Sequence, residues 1–158
     1  MGLFNSLKVS ASGMTAQRLR MDVIADNVAN ADSTRGAGQG PYKRKLVVFS
    51  EALDQARAGS VADRSRSSRG AASRDRIEGT ESLAGVKVVG IVEDSRPGPL
   101  VYDPGHPDAD ENGYVEMPNV DIVREMVDMI SASRAYESNI AVFEATKSMF
   151  LKALDIGR

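Results

Sequence analysis

The chain has no cysteine and no tryptophan, and its aromatic residues are four phenylalanines and four tyrosines. Without cysteine there is no disulfide framework, no thiolate chemistry and no cysteine-based zinc site. The same lack suits a protein that crosses between reducing and oxidising spaces without cross-linking. So few aromatics argue against a large interlocked core and for helix seams filled by Met, Ala, Val and Leu. Proline is missing from both ends, since all six prolines lie between Pro41 and Pro118, so both ends are free of helix breakers. No apolar run approaches the roughly 18 to 20 residues of a membrane span. The start lacks a cationic stretch followed by an apolar run and a small-residue cleavage site, so no cleavable secretory signal is expected. Neither sign of charge dominates: 20 basic residues face 22 acidic ones for a net charge of −2. The whole chain has no electrostatic commitment to nucleic acid or to an anionic membrane.

What the ends do contain is helical pattern. Residues 119–156 hold neither glycine nor proline and read as one helix about 55 Å long. Ile122, Met126, Met129, Ser133, Tyr136, Ile140, Phe143, Lys147, Phe150 and Leu154 recur alternately four and three residues apart, and eight of these ten positions are apolar. That spacing holds a stripe toward a partner helix. A first helix is expected from Leu3 to about Ala31, closed by Asn27, Asn30 and Asp32, whose side chains compete for backbone hydrogen bonds. Leu7, Met14, Met21 and Val28 mark one seam position per heptad, with Phe4, Ala11 and Ala25 on the companion row and Arg18 as its break. Leu19, Val23 and Ile24 lie off that seam, so this helix is apolar on several faces and needs more cover than one antiparallel partner supplies. Met1-Gly2-Leu3-Phe4-Asn5-Ser6 also fits the N-myristoylation pattern, but the same residues read as the first turn of the helix.

The middle is of another kind. After the turn residues Gly36, Gly38, Gly40 and Pro41, strands are expected over Tyr42–Phe49, Val86–Val92, Leu100–Tyr102 and Tyr114–Met117, the last led in by the turn signal Asn112-Gly113. Pro118 stops that strand, Asn119 or Asp121 can cap the long helix, and Gly157 can end it. Residues 57–76 carry six arginines against Asp63 and Asp75 among Ser and Ala, a composition that cannot offset chain entropy and reads as a mobile, solvated loop. It lacks the interleaved aromatics of a nucleic-acid stacking platform. The expected class is α+β: long terminal helices over residues 1–35 and 119–158 forming a coiled-coil-like pair, with a small β-rich insert over 36–118 between them.

Candidates for chemistry are few. Asp108, Asp110 and Asn112, with Gly113 in sixth place, match the opening of an EF-hand calcium loop. The twelfth place is Asn119 rather than a bidentate Glu, and Pro104 and Pro107 forbid the incoming helix. These three are weak metal candidates, and an acidic turn entering a strand is the plainer reading. His106 is the single histidine and sits in the rigid turn Pro104-Gly105-His106-Pro107. No Walker loop, GxSxG or Rossmann fingerprint occurs. Neither an enzyme nor a cofactor is expected.

The ends also carry a resemblance. Ala11-Ser12-Gly13-Met14-Thr15-Ala16-Gln17-Arg18, continued by Arg20-Met21-Asp22, Ile24-Ala25-Asp26-Asn27 and Ala29-Asn30, is similar to the signature of the axial proteins of the bacterial flagellum. Gly40-Pro41-Tyr42-Lys43-Arg44-Lys45, Gly85-Val86-Lys87-Val88 and Tyr102-Asp103-Pro104-Gly105-His106-Pro107-Asp108-Ala109 resemble the rod members, as do Gly113-Tyr114-Val115, Pro118-Asn119-Val120-Asp121, Glu125-Met126-Val127-Asp128-Met129-Ile130 and Ser133-Arg134-Ala135-Tyr136-Glu137-Ser138-Asn139. The likeness covers about three-quarters of the chain; the Arg/Ser segment matches nothing in it. It implies a structural subunit of the periplasmic rod, exported without a cleavable signal by the flagellar type III apparatus. It further implies self-assembly through the terminal helices beside other copies, other rod proteins and the ring-to-rod adaptor. A calcium-responsive adaptor and a cytoplasmic coiled-coil adaptor are the alternatives.

Overall fold

The computed structural model describes residues 3–36, 40–53 and 83–156. The Arg/Ser segment over 57–76 and the expected helix end at Gly157 lie outside the described residues. Two long helices bracket two small antiparallel ribbons, an α+β arrangement. Helix α1 spans Leu3–Ala29 and α2 spans Ile122–Ile156. Strands β1 (Lys45–Leu53) and β2 (Leu83–Glu93) form one ribbon, and β3 (Leu100–Tyr102) and β4 (Tyr114–Glu116) the other. No described helix is long and apolar enough to cross a membrane.

Helix α1 contains no proline and a single glycine, Gly13, so nothing in it interrupts the backbone ladder. Its end is made by polar side chains: Asn30 donates its amide to the Asp26 carbonyl at 2.8 Å, and the Ser33 hydroxyl reaches Asn30 Oδ1 at 3.3 Å. Asn27, expected among these terminators, has a different task described below. At the start of α2, Asp121 Oδ1 accepts the backbone N–H groups of Val123 and Arg124 at 3.0 and 3.3 Å, the cap that exposed first-turn donors need. Asn119, the alternative cap, braces strands instead: its Oδ1 accepts the Arg44 N–H, and its Nδ2 donates to the carbonyls of Asp94 and Arg96.

In the larger ribbon Leu46 pairs with Val92, Val48 with Gly90 and Phe49 with Val88. Val89 has no partner at this bulge, which kinks the ribbon. Helix α1 packs along both strands and against α2. A clip fixes the far end of the ribbon: the Ser12 hydroxyl donates to the Val9 carbonyl and accepts the Val86 N–H at 3.1 Å. Gly85 beside it has φ +96°, where a side chain would be strained and a Cβ would strike Ser12 Oγ.

Cover is sparse for a chain of this length. Among the described residues the buried apolar side chains are Ala16, Val23, Ile24, Ala31, Val115 and Ala132. Half of these are alanines, so the core itself removes little area from water, and much apolar surface stays outside.

Candidate assembly surface and its buried junction

The helices meet through polar groups at one end. Asn27, on the last turn of α1, is 1% exposed and uses its whole amide. Its Nδ2 donates to the Lys45 carbonyl at 2.9 Å and to Glu125 Oε2 at 3.0 Å; its Oδ1 accepts the Lys45 N–H at 2.9 Å and lies 3.0 Å from the Tyr42 hydroxyl. Toward Lys45 the side chain thus acts as a strand neighbour, satisfying both backbone groups at the start of β1. Glu125, fully buried on the first turn of α2, takes the Arg44 Nε at 2.6 Å and Nη2 at 2.5 Å on its other oxygen. Arg44 continues to Asp128 at 3.3 Å, and Asp128 to Arg20 at 3.2 Å.

The chain Asn27–Glu125–Arg44–Asp128–Arg20 holds two cations and two anions, each facing its opposite. A buried pair of this kind costs desolvation and is no proof of stability. What it does fix is position: the end of α1, the start of β1 and the start of α2 satisfy one another only in this register. Asp26 and Lys45 add an outer pair at 2.9 Å. The Lys45 bond and its charge, with the Tyr42 and Asn30 bonds, hold the Asp26 carboxyl below the usual carboxylate range despite partial desolvation.

Farther along, the contact becomes small. A Cβ on Gly13 would lie 3.0 Å from Asn139 Oδ1, so glycine lets α2 approach closely. The innermost positions of α2 are Glu125, Ala132 and Thr146, at 0%, 0% and 4% exposure. These lie one residue before the expected seam positions Met126, Ser133 and Lys147. Met129, Tyr136, Ile140, Phe143 and Phe150 are half-buried, while Ile122, Met126 and Leu154 are exposed. On α1, Leu7, Met14, Met21 and Val28 are half-buried and Ala11 and Ala25 exposed, with Phe4 on the first turn. Within this chain the innermost face of α1 is instead built by Ala16, Val23, Ile24 and Asn27, off the seam.

Opposite the junction, α2 turns apolar residues outward. Val123, Met126, Val127 and Ile130 are 71%, 56%, 62% and 55% exposed, two turns of an uncovered stripe. A shallow groove of about 510 Å³ between α1 and β2 is lined among others by Ser12, Thr15, Ala16, Leu19 and Val86. Both its hydroxyls are committed, Ser12 to the clip and Thr15 to the Ala11 carbonyl at 3.0 Å. The calcium candidates are committed as well. Asp108 accepts the Thr34 hydroxyl at 2.8 Å and pairs with Arg35 at 2.6 Å, and the Thr34 bond and Arg35 charge hold its carboxyl low against desolvation. Asp110 Oδ1 accepts the N–H groups of Asn112 and Tyr114, and His106 Nδ1 accepts the Asp108 N–H. Asn112 itself is exposed. Among the described residues no three His, Cys, Asp or Glu side chains gather as a metal site.

Two family models match this chain: "Flagella basal body rod protein" over residues 7–37 and "Flagellar basal body rod FlgEFG protein C-terminal" over residues 111–156. Curated relatives named flagellar basal-body rod protein FlgC match throughout. The one from Borreliella burgdorferi is 44% identical, covering 99% of this chain and 98% of its own. Those from Bacillus subtilis and Salmonella typhimurium are 44% and 42% identical over the full length of both chains. The chain belongs to the FlgC family of flagellar basal-body rod proteins. The two segments that match rod models fall on α1 and on β4 with α2, the elements that Asn27 and Glu125 join. In this FlgC-family chain, reading apolar spacing alone misses Asn27, Arg44 and Glu125. Asn27 and Glu125 lie off the seams and Arg44 precedes β1, so the apolar pattern carries no signal for them.

Proposed function

We propose that this chain is a structural subunit of the flagellar basal-body rod, assembling through its terminal helices. Full-length similarity to FlgC rod proteins supports the family side of this reading. The observation that carries it physically is the outward stripe Val123–Met126–Val127–Ile130 on α2. A monomeric soluble protein rarely leaves such a face uncovered, and an assembled subunit covers it with its neighbours. On this reading residues 1–35 and 119–158 are the assembling parts, pairing as coiled-coil-like helices with seams at Leu7, Met14, Met21 and Met126, Ile140, Leu154. The insert over 36–118 sets their spacing.

Basal-body location, a periplasmic position, and export through the flagellar type III apparatus without a cleavable signal belong to the same proposal. So do contacts with other copies, other rod proteins and the ring-to-rod adaptor. The role is structural, and no catalytic step is assigned. Torque enters such a tube as shear between subunits, and the buried junction keeps each subunit's helices from sliding against its sheet.

The test is recovery of this chain, by mass spectrometry, in detergent-extracted basal bodies washed free of loosely bound protein. Retention through the wash is the expected result. Recovery only from the soluble cytoplasm would overturn the reading in favour of a cytoplasmic adaptor.

A further inference from the structure

The small β3–β4 ribbon shows a face that no described residue covers. Leu100, Tyr102 and Tyr114 stand on it, exposed by 67%, 64% and 44%, and the tyrosine rings meet edge to face at 5.3 Å. Glu116 shares this face as the cross-strand partner of Leu100. Residues 100–116 contain five acidic residues and no lysine or arginine. Asp108 is paired with Arg35. The other four, Asp103, Asp110, Glu111 and Glu116, face no cation at ion-pair distance among the described residues. Carboxylates around exposed aromatic rings are what a guanidinium recognises: oxygens for its fork and a ring for its plane.

The complementary surface is in the sequence. Residues 57–76 hold six arginines and two aspartates, a surplus of four positive charges against four unpaired negative ones. We propose that the Tyr102–Tyr114 face receives the arginine segment 57–76 of a second copy of this chain. Placement favours a second copy over the same one. The segment springs from the far end of the β1–β2 ribbon, beyond the paired residues Leu53 and Leu83. Ser12 clips that end at Val86, whereas Asn27 holds Lys45 at the near end. Fifteen residues of α1 separate the two anchors, about 22 Å. The tyrosine face lies toward the near end, where Asp108 is bonded to Thr34 just past α1. Arg57, four residues after Leu53, reaches no more than about 14 Å at full stretch. In its own copy Arg57 therefore stops short of this face, whereas a neighbour stacked far end to near end brings the whole segment to it. Such a contact joins two different patches, so it builds a ring or an open helical array rather than a two-fold dimer. The stacking direction rests on the subunit reading above; the pairing of the two surfaces does not.

The experiment uses cells co-expressing two full-length copies with different tags, one carrying a benzophenone amino acid in place of Tyr102. After illumination, adducts joining the two tags and mapping to residues 57–76 are expected. Glu111→Arg with Glu116→Arg in the crosslinking copy should lower their yield about fivefold or more, and Arg66→Glu with Arg69→Glu in the other copy should restore it. Absence of adducts, adducts confined to one copy or to another protein, or a yield indifferent to these reversals would overturn the proposal. Basal-body content is scored in parallel: absence there with inter-copy adducts present defeats the rod reading and leaves this contact standing.

Discussion

Asn27 donates a hydrogen bond to Glu125 across 98 positions of sequence, at 3.0 Å, and both side chains are sealed from solvent. The two residues sit on the inward faces of different helices, and each is satisfied only because Arg44 and the Lys45 backbone arrive between them. Local helix propensity would have accepted many residues at either place. The tertiary arrangement accepts few, because any replacement leaves a buried donor or charge without its partner.

Glu125→Ala should therefore destabilise the chain by about 3–5 kcal/mol, the cost of leaving a buried guanidinium uncompensated. Arg44→Met combined with Glu125→Leu should recover most of that loss, since an apolar pair owes no desolvation. Urea unfolding of the single and double variants checks this. A loss below about 1 kcal/mol for Glu125→Ala would show that water or Asp128 already compensates Arg44.

Gly98→Ala should be far worse than Gly90→Ala. A Cβ at Gly98 would collide with the Met117 carbonyl oxygen, a backbone atom that cannot swing aside, whereas at Gly90 nothing lies within 4 Å. The first substitution should cost about 1–3 kcal/mol, in the range of an overpacked site, and the second should stay near zero. Thermal unfolding midpoints separate the two, and equal midpoints would mean that the loop before β3 yields freely.

The sequence makes the element types plain and the contacts between them less so. Helix α1 ends at Ala29 where about Ala31 is expected, α2 starts at Ile122 where 119 is expected, and β3 falls on Leu100–Tyr102 as read. Periodicity reports such elements because it needs only neighbours along the chain. The seam read on α2 is a stripe toward a partner helix, and the row buried within this chain runs one residue before three of its positions. Glu125, Ala132 and Thr146 occupy that row, and a carboxylate, one small methyl and a hydroxyl form no apolar repeat of their own. Arg44 fell inside the expected strand Tyr42–Phe49, one of three basic residues ahead of its apolar run. Its burial follows from Glu125, 81 positions away, which no local pattern contains.

Acid should weaken the loop between β2 and β3. Arg96 bonds Asp94 through its side chain and its backbone N–H, and its charge adds to theirs, holding the Asp94 carboxyl at about 2. A carboxyl depressed in the folded state stabilises it above the ordinary value near 4, and that contribution fades as pH falls from about 4 toward 2. Wild type should thus exceed Asp94→Asn in stability at neutral pH, with the difference shrinking through that window. A difference constant from pH 7 to pH 2 would assign the effect to something other than ionisation.

Val127→Asp should leave the isolated chain as stable as wild type, within about 0.5 kcal/mol, because the side chain is 62% exposed. In the proposed assembly the same charge would enter a dry contact and cost several kcal/mol unless paired. Loss of basal-body incorporation and swimming with an unchanged unfolding midpoint is the expected outcome. Normal swimming would remove the outer face of α2 from the interface. Met14→Asp and Ile140→Asp test the seam in the same way, with some loss of intrinsic stability as well, since both residues are half-buried.

The buried Arg44–Glu125 pair also steadies the subunit's geometry against changes of salinity. Dissolved ions screen charges that water reaches, over a Debye length of about 8 Å at physiological ionic strength and shorter in brine. The Arg96–Asp94 and Lys45–Asp26 pairs are open to that screening. Arg44 and Glu125, at 7% and 0% exposure, are not. A cell that swims from fresh water into concentrated medium loosens the rim of each subunit while the angle between its two helices stays as it was.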